Sequence, residues 1–577
     1  MRLLDYYLQL RLADPDQEQL QISIKELAAQ LCCTGKNAKL VLKRMEEEGW
    51  LVWTRGRGRG NVSQLQFVKP LAVAADAAWE LLIEQGRLEE AAALLREPFP
   101  QQIKEQLAGK LHSLFGYQSG NASRDVLRIP IRRKLTELDP ASVSITAESH
   151  LLHQIFDTLV HFNEKQKTIQ PQLAHYWRQE DHGTVWTFFL RKGVRFHHGR
   201  TLTAQDVVHT FRRLMDPALP VVNRWMIDEM LHVEAVSPLQ VTFRLRRPNR
   251  LFLHFLATSN CAILPQDVPF AETRLIGTGP FMMKHYTGQL LVLEAFPDYF
   301  RERAHLDRIE LLLLPSDALY AFDYELPAQT GSEAQTYWME EIGCRHTAFN
   351  LRKPGPLQDL HFRRALAEIV DGELLCRELG GRRTGPAHSF FPAISRTCHA
   401  SKSLEAAREH LRLSSYQGET IRISHLGFSD GLEDVLWLQE RCIRVGIQVE
   451  LHPFTLRDYY REELFTQTDL LLMGEVFSTD TELSFMQVFQ NDSCFISRFM
   501  SDAHRKELNQ LLAPLFVTDD LAEREQLMRG IELFLQREYV MLFNYHVRKT
   551  RVLPDALHGV NLNGFGWADF RSLWIEA

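Results

Sequence analysis

The feature that most restricts this chain is a short tip, Arg55-Gly-Arg-Gly-Arg-Gly-Asn61, set between two alternating runs. Leu51-Val-Trp-Thr54 and Val62-Ser-Gln-Leu-Gln-Phe67 are strand-like, with Leu51 and Trp53 and then Leu65 and Phe67 alternating as in a half-buried strand. The glycines free the tip to turn tightly, and the arginines at alternate positions supply charge with a two-pronged donor geometry. A loose Arg-Gly linker would leave the flanking alternation unexplained, so the segment reads as a hairpin wing. Upstream, Leu3, Leu4, Tyr7, Leu8 and Leu10 repeat at helical spacing. Ser23 stands three residues before Glu26, the order of a capping box, ahead of a short second helix ending at Cys32-Cys33. Thr34-Gly35 makes a tight turn, and a third helix runs from about 36 to 48 with Ala38, Val41, Leu42 and Met45 inward. Two short helices, a tight turn and a wing predict a winged helix-turn-helix over 1–70. DNA contact then falls to Thr34, Lys36, Asn37, Lys39 and Lys43 on the third helix, and to Arg55, Arg57, Arg59 and Asn61 on the wing. Lysines meet phosphates and Asn37 is placed to read a base edge. The plainer alternative for the helix is a solvated basic face.

Charge supports the same division of labour. Residues 1–70 carry eleven Lys/Arg against eight Asp/Glu, whereas the whole chain of 577 residues has a net charge of −7. A basic head on an acidic body is what a protein needs if only its head meets double-stranded DNA. The length calls for three or four domain-sized units. The eight cysteines form no C-x-x-C pair and read as reduced thiols. The N-terminus lacks the pattern of a secretory signal, and no apolar run reaches membrane-spanning length, so the expected location is the cytoplasm with no membrane partner. Residues 71–122 read as a helical bridge broken near Gly86, closing on a polar linker, Gly116 to Ser123. The bridge either dimerises the head, transmits motion, or only spaces the domains.

From about 123 onward, strand-like and helix-like segments alternate, the pattern of an α/β body. Leu190-Arg-Lys-Gly-Val-Arg-Phe-His197, Gly199, Leu202-Thr-Ala-Gln-Asp-Val-Val208 and Gly277-Thr-Gly-Pro-Phe281 stand out. So do Ala348-Phe-Asn-Leu351, the run from Asp359 to Asp371, and the strand-like segments 443–449 and 468–474. These stretches resemble the family 5 extracellular solute-binding proteins. With the head and bridge in front, the whole chain resembles the SgrR family of transcriptional regulators. The resemblance implies a two-lobed α/β body of the periplasmic-binding-protein type with a solute cleft: first lobe 123–345, second lobe 346–540, and a return to the first lobe over 541–577. Within that resemblance, peptide-binding members carry an aspartate shortly after a strand-end Gly-Trp. Here Gly474-Glu475 occupies the strand end and Ser478 the acidic position.

The candidate ligand residues are therefore Glu475, Phe477, Ser478 and Asp480. Arg382 and Arg383 in a glycine-containing loop face either an anion or solvent, and Trp437, Tyr459, Tyr460 and Phe477 either stack on a ring or fill core. His197-His198 has no third ligand at useful spacing and reads as structural. No phosphate-cradling loop, nucleophile elbow or zinc-protease motif is present, so neither a cofactor nor enzymatic catalysis is expected. The function expected is that of a ligand-responsive, DNA-binding transcriptional regulator sensing a sugar, sugar phosphate or peptide-like solute, with a homodimer compatible with it. The alternative is a cytosolic solute carrier whose head meets proteins, and behind it a peptide hydrolase.

Overall fold

The computed structural model describes residues 3–576 except 16, 57–61, 86, 114–115, 119–123, 132–134, 314–333, 398–401, 427–429, 456–457, 460 and 492–493. The head begins with helix α1 (Leu3–Arg11), strand β1 (Gln19–Ile22) and helix α2 (Ile24–Gln30). The capping box at the start of α2 is complete. The Glu26 amide donates to Ser23 Oγ at 3.2 Å, and the Ser23 amide donates to Glu26 Oε2 at 3.0 Å. Thr34 caps helix α3 (Gly35–Glu47), its hydroxyl accepting from the Asn37 amide at 3.3 Å. Gly49, at φ 71°, ends the helix and turns the chain into β2 (Leu51–Thr54). Strand β3 (Ser63–Phe67) pairs antiparallel with β2, Leu51 opposite Phe67 and Thr54 opposite Gln64. The third strand, β1, lies on the far side of β3 with Gln19 opposite Gln66. Its two glutamines and four-residue length gave no strand signal in the sequence.

The bridge does not stand apart from the head. Helices α4 (Leu71–Glu84), α5 (Leu88–Ala93) and α6 (Gln101–Ser113) send Ala74, Ala78, Trp79, Ala91, Ile103, Leu107 and Leu111 into one core with Tyr7, Leu27, Leu42, Met45, Trp53 and Leu65. Tyr7 ties the two parts together: its ring lies edge-on to Trp50 and Phe67, and its hydroxyl donates to the Lys69 carbonyl at the entry to α4.

The connection from bridge to body differs from the sequence expectation. Residues 116–123 read as a polar linker, yet β4 (Gly116–Gln118) pairs antiparallel with β5 (Val126–Ile131), Gly116 opposite Arg128. Residues 119–123 lie outside the described residues. β5 in turn runs parallel to the strand Arg308–Leu313, which completes a five-stranded sheet with Leu290–Ala295 and Phe281–Tyr286. Leu312 of this sheet is buried in the head's core, and Leu290 packs against that core. A backbone ladder and an apolar seam therefore fasten the head to the first lobe.

The first lobe also holds a four-stranded antiparallel sheet built from Ala174–Glu180, Val185–Leu190, Met230–Ser237 and Gln240–Leu245. Helix α7 (Thr146–Ile155) ends earlier than the apolar run to Val160 indicates, and the chain that leaves it sets Asp157 in the lobe's inner wall. The second lobe centres on a seven-stranded mixed sheet. Here the sequence boundaries need correction. Ala334–Glu340 already belongs to the second sheet, pairing with Met541–Pro554, and that long strand remains in the same sheet beside Gly343–Phe349. The chain rejoins the first lobe only afterwards, where Leu557, Phe570 and Leu573 enter its core.

Candidate binding surfaces of the head and the cleft

On the head, α3 buries Ala38, Val41, Leu42 and Met45 and turns Lys36, Lys39 and Lys43 to solvent. Lys43 makes a 3.5 Å exposed pair with Glu47, an interaction that solvent keeps weak. Thr34 is exposed but its hydroxyl is used by the cap, and Asn37 is half-buried beside it. Leu40, 49% exposed, sits on the same outer face and was not singled out from the sequence. Arg55 leaves β2 with its guanidinium over the Trp53 ring, 4.5 Å from the centroid. Arg57, Arg59 and Asn61 lie outside the described residues.

The cleft is a cavity of about 640 Å³ between the lobes. Its first-lobe wall is backed by the family-like motif, which reaches the lining at Pro280. His197 accepts from the Gly277 amide at 3.2 Å and faces the Gly279 carbonyl at 3.0 Å, so Nδ1 is the acceptor and Nε2 carries the proton. Burial lowers its pKa to about 4, in keeping with a neutral ring. The clamped turn lies directly on the end of α7: a Cβ at Gly277 would stand 2.1 Å from the Ile155 carbonyl oxygen. That close approach delivers the Thr278 hydroxyl to Asp157, 2.9 Å away. Asp157 also accepts from the Tyr299 hydroxyl at 3.2 Å and from Gln172 Nε2. Burial raises its pKa, and these donors oppose the rise. Arg301 and Arg571 line the same wall, and Asp569 holds Arg571 at 3.1 Å. His150 stacks on Trp567 at 5.3 Å, and burial lowers its pKa to about 4.

The opposite wall contains Glu475, Phe477, Ser478 and Asp480, so four of the seven sequence candidates share the cleft. Their side chains are differently committed. Phe477 is 1% exposed and stacks on Phe390 at 5.1 Å, which makes it chiefly core. Ser478 is bonded to Ser484 Oγ at 2.8 Å and to the Asp480 carbonyl. Glu475 is half-buried near Cys494 Sγ, 3.6 Å away. Asp480 caps the helix Thr481–Gln490 and also reaches His254 Nδ1 of the first lobe at 2.7 Å. Lys167 adds a second link to the Thr479 carbonyl at 3.1 Å, and Arg250 a third to Glu482 at 2.6 Å. The lobes thus touch across the cleft.

The other three candidates do not line it, which corrects the expectation for each. Arg383 is buried in a pair with Asp434 at 2.7 Å, with Glu433 at 3.1 Å and the Tyr545 ring beneath its guanidinium. Arg382 gives its carbonyl to the Arg548 amide and is also absent from the lining. Trp437 donates to Glu378 Oε2 at 2.7 Å and carries Arg441 over its ring. Tyr459 does reach the cleft, edge-on to Phe495, while Tyr460 is outside the described residues. Asp157, His161, Arg301, Asp569 and Arg571 were missed. They come from separated places in the chain, and no local motif marks them. Among the described residues, no three His, Cys, Asp or Glu side chains are grouped to hold a metal, and no helix is long and apolar enough to cross a membrane.

Comparison with known proteins adds two family matches. Residues 2–118 match the sugar transport-related sRNA regulator N-terminal model, and residues 168–495 match the middle region of the bacterial extracellular solute-binding proteins, family 5. The HTH-type transcriptional regulator SgrR of Pectobacterium atrosepticum is 34% identical across 96% of this chain and 95% of its own. Bacillus subtilis YhjP is 31% identical over the full length of both. Among solved structures, a Pseudoalteromonas dipeptide binding protein in complex with Met-Leu superposes with a TM-score of 0.68 at 19% identity, covering 78% of this chain and all of that one. The Escherichia coli murein tripeptide binding protein MppA gives 0.66 at 21%, covering 79% and 99%. At these identities the structures establish the fold of the body.

Proposed function

The chain belongs to the family that joins an SgrR-type N-terminal domain to a family 5 solute-binding body, and from that premise we propose that it is a transcriptional regulator whose DNA binding answers to a small solute. The head, 1–70, binds duplex DNA through the outer face of α3 and the wing. Lys36, Lys39, Lys43 and Arg55 meet phosphates, and Asn37 meets a base edge. Arg57, Arg59 and Asn61 complete the wing contact. The observation that carries this reading is the capped helix α3, which turns three lysines outward from a core it shares with the bridge.

The cleft takes the solute, and Glu475, Ser478 and Asp480 contribute from the second lobe. Ligand that favours the touching arrangement of the lobes over a parted one shifts the population between them, and the head's position shifts with it. The working compartment is the cytoplasm, and the working unit is a homodimer, because two half-sites supply avidity that one small head lacks. The reading is one of binding rather than catalysis.

Genome-wide DNA capture with the purified full chain at near-physiological salt tests it, run beside a variant with Arg55, Arg57 and Arg59 all changed to Glu. Discrete sites that vanish in the variant are expected. Absent or diffuse binding by both proteins, with and without cell-extract solutes, would overturn the regulator reading in favour of a solute carrier.

A further inference from the structure

Arg301 is half-buried in the first-lobe wall of the cleft. Its Nη2 donates to the Pro171 carbonyl, and among the described residues no carboxylate lies within ion-pair distance of it. Tyr299 and Asp157 attract its charge, and two further arginines oppose them. Arg571 lines the same wall, and Arg191, anchored through Nε to the Gln172 carbonyl at 2.6 Å, repels it from behind. Asp157 attracts Arg301 but is already met by three neutral donors from Gln172, Thr278 and Tyr299. Arg571 pairs with Asp569 at 3.1 Å and bonds the Tyr299 side chain, and Asp157 attracts it as well.

A guanidinium withdrawn from water without a carboxylate partner is costly, and the cost is recovered when an anion arrives. The planar fork matches a carboxylate or phosphate in geometry as well as charge. His161 adds a second kind of contact. One of its ring nitrogens bonds to the Pro171 backbone, while Nδ1 is buried with no partner. Burial, reinforced by the two arginines, lowers its pKa to about 4, so the ring is neutral and Nδ1 offers a lone pair.

Taking the cleft as the solute site of the proposed regulator, on which the assignment rests, we infer that Arg301 and Arg571 form an anion subsite for a carboxylate or phosphate of the solute, with His161 Nδ1 accepting a hydrogen bond from a hydroxyl or amine of the same molecule. The solute is then an acid with donors close to its charge. A neutral sugar or an apolar compound does not satisfy this wall.

The test uses the full-length protein and three probes at constant ionic strength: sodium phosphate, sodium tartrate and neutral erythritol, each against sodium chloride. Calorimetric titration and thermal melting are read together. At least one anion is expected to bind and raise the melting temperature above chloride. Arg301→Gln and Arg571→Gln are each expected to weaken that binding by about tenfold or more. Arg178→Gln, at an exposed pair with Glu180, is expected to leave it unchanged. A response to phosphate alone assigns a phosphate group, and a response to tartrate alone assigns a carboxylate. Arg301→Lys keeps the charge without the fork and guards against a variant that fails to fold. Equal binding in wild type and both cleft variants, or no response to either anion, overturns the subsite. Erythritol binding without anion binding does the same while sparing the solute-sensing reading. DNA capture with the same preparation decides that reading separately.

Discussion

The head and the cleft solve opposite problems. The head presents charge on a convex surface: Lys36, Lys39 and Lys43 stand in water on α3, and only the capped end of the helix fixes where they point. The cleft turns charge inward, with Asp157 held by three donors and Arg301 half-buried, with no carboxylate among the described residues in ion-pair contact with it. On the proposed function, removing a cation from the head is expected to cost DNA binding and little stability, because water already solvates it. In the cleft, the same kind of change disturbs a wall whose groups hold one another. Surface recognition can thus be altered residue by residue, whereas the cleft behaves as a unit.

The largest break in this contrast comes from the turn behind the wall. Gly277→Val puts side-chain atoms where the Ile155 carbonyl already stands 2.1 Å from a bare Cβ. Backbone must move, and a stability loss of roughly 3 kcal/mol or more in chemical denaturation is expected. DNA affinity of the molecules that remain folded is expected to change far less. The head gives the reverse case. Changing Lys36, Lys39 and Arg55 together to Glu is expected to lower duplex affinity about 100-fold and flatten the salt dependence, with stability within about 0.5 kcal/mol of wild type. A filter-binding salt titration beside a melting curve reads both. If stability fell as far as affinity, these cations would be holding the head together rather than standing in solvent.

Acid sharpens the contrast further. Burial holds His197 near 4 in the folded chain against an ordinary value of 6.5. The unfolded chain therefore takes up the proton first as pH falls, so this residue's contribution is intact above about 6.5 and is lost progressively toward 4. His197→Gln, which keeps one donor and one acceptor, is expected to flatten that part of the decline in melting temperature between about pH 7 and 4.5. An unchanged slope would mean the ring is not held neutral. The smallest expected effect is Thr34→Ala, about 1 kcal/mol from loss of the α3 cap. It is also the one head substitution expected to cost stability and DNA affinity together, since the cap aims the helix.

The same contrast explains what the sequence disclosed. Caps, turns and strand alternation act over three or four residues, so Ser23, Thr34, Gly49 and the β2–β3 ribbon were legible directly. Strand β1 was not, because two of its four residues are glutamines and only its pairing with β3 makes it a strand. In the cleft, Glu475 to Asp480 was found as the end of one recognisable strand. Arg301 and Arg571 were not, since nothing local distinguishes an arginine that faces a cavity from one on a surface. Arg383 shows the converse error: an arginine after a helix, flanked by glycines, looks available, yet Asp434 and Tyr545 enclose it. The domain boundaries moved for the same reason, because Met541–Pro554 declares its sheet only by pairing with Gly343–Phe349, and Ala334–Glu340 only by pairing with Met541–Pro554.

The seam formed by β4 and Leu312 has a kinematic consequence. A head hydrogen-bonded to the first lobe's sheet travels with that lobe as one body. Any closure of the cleft is then a swing of the second lobe against a joined head and first lobe. On the proposed function, the solute then acts on DNA binding by changing where the second lobe stands relative to the joined head and first lobe.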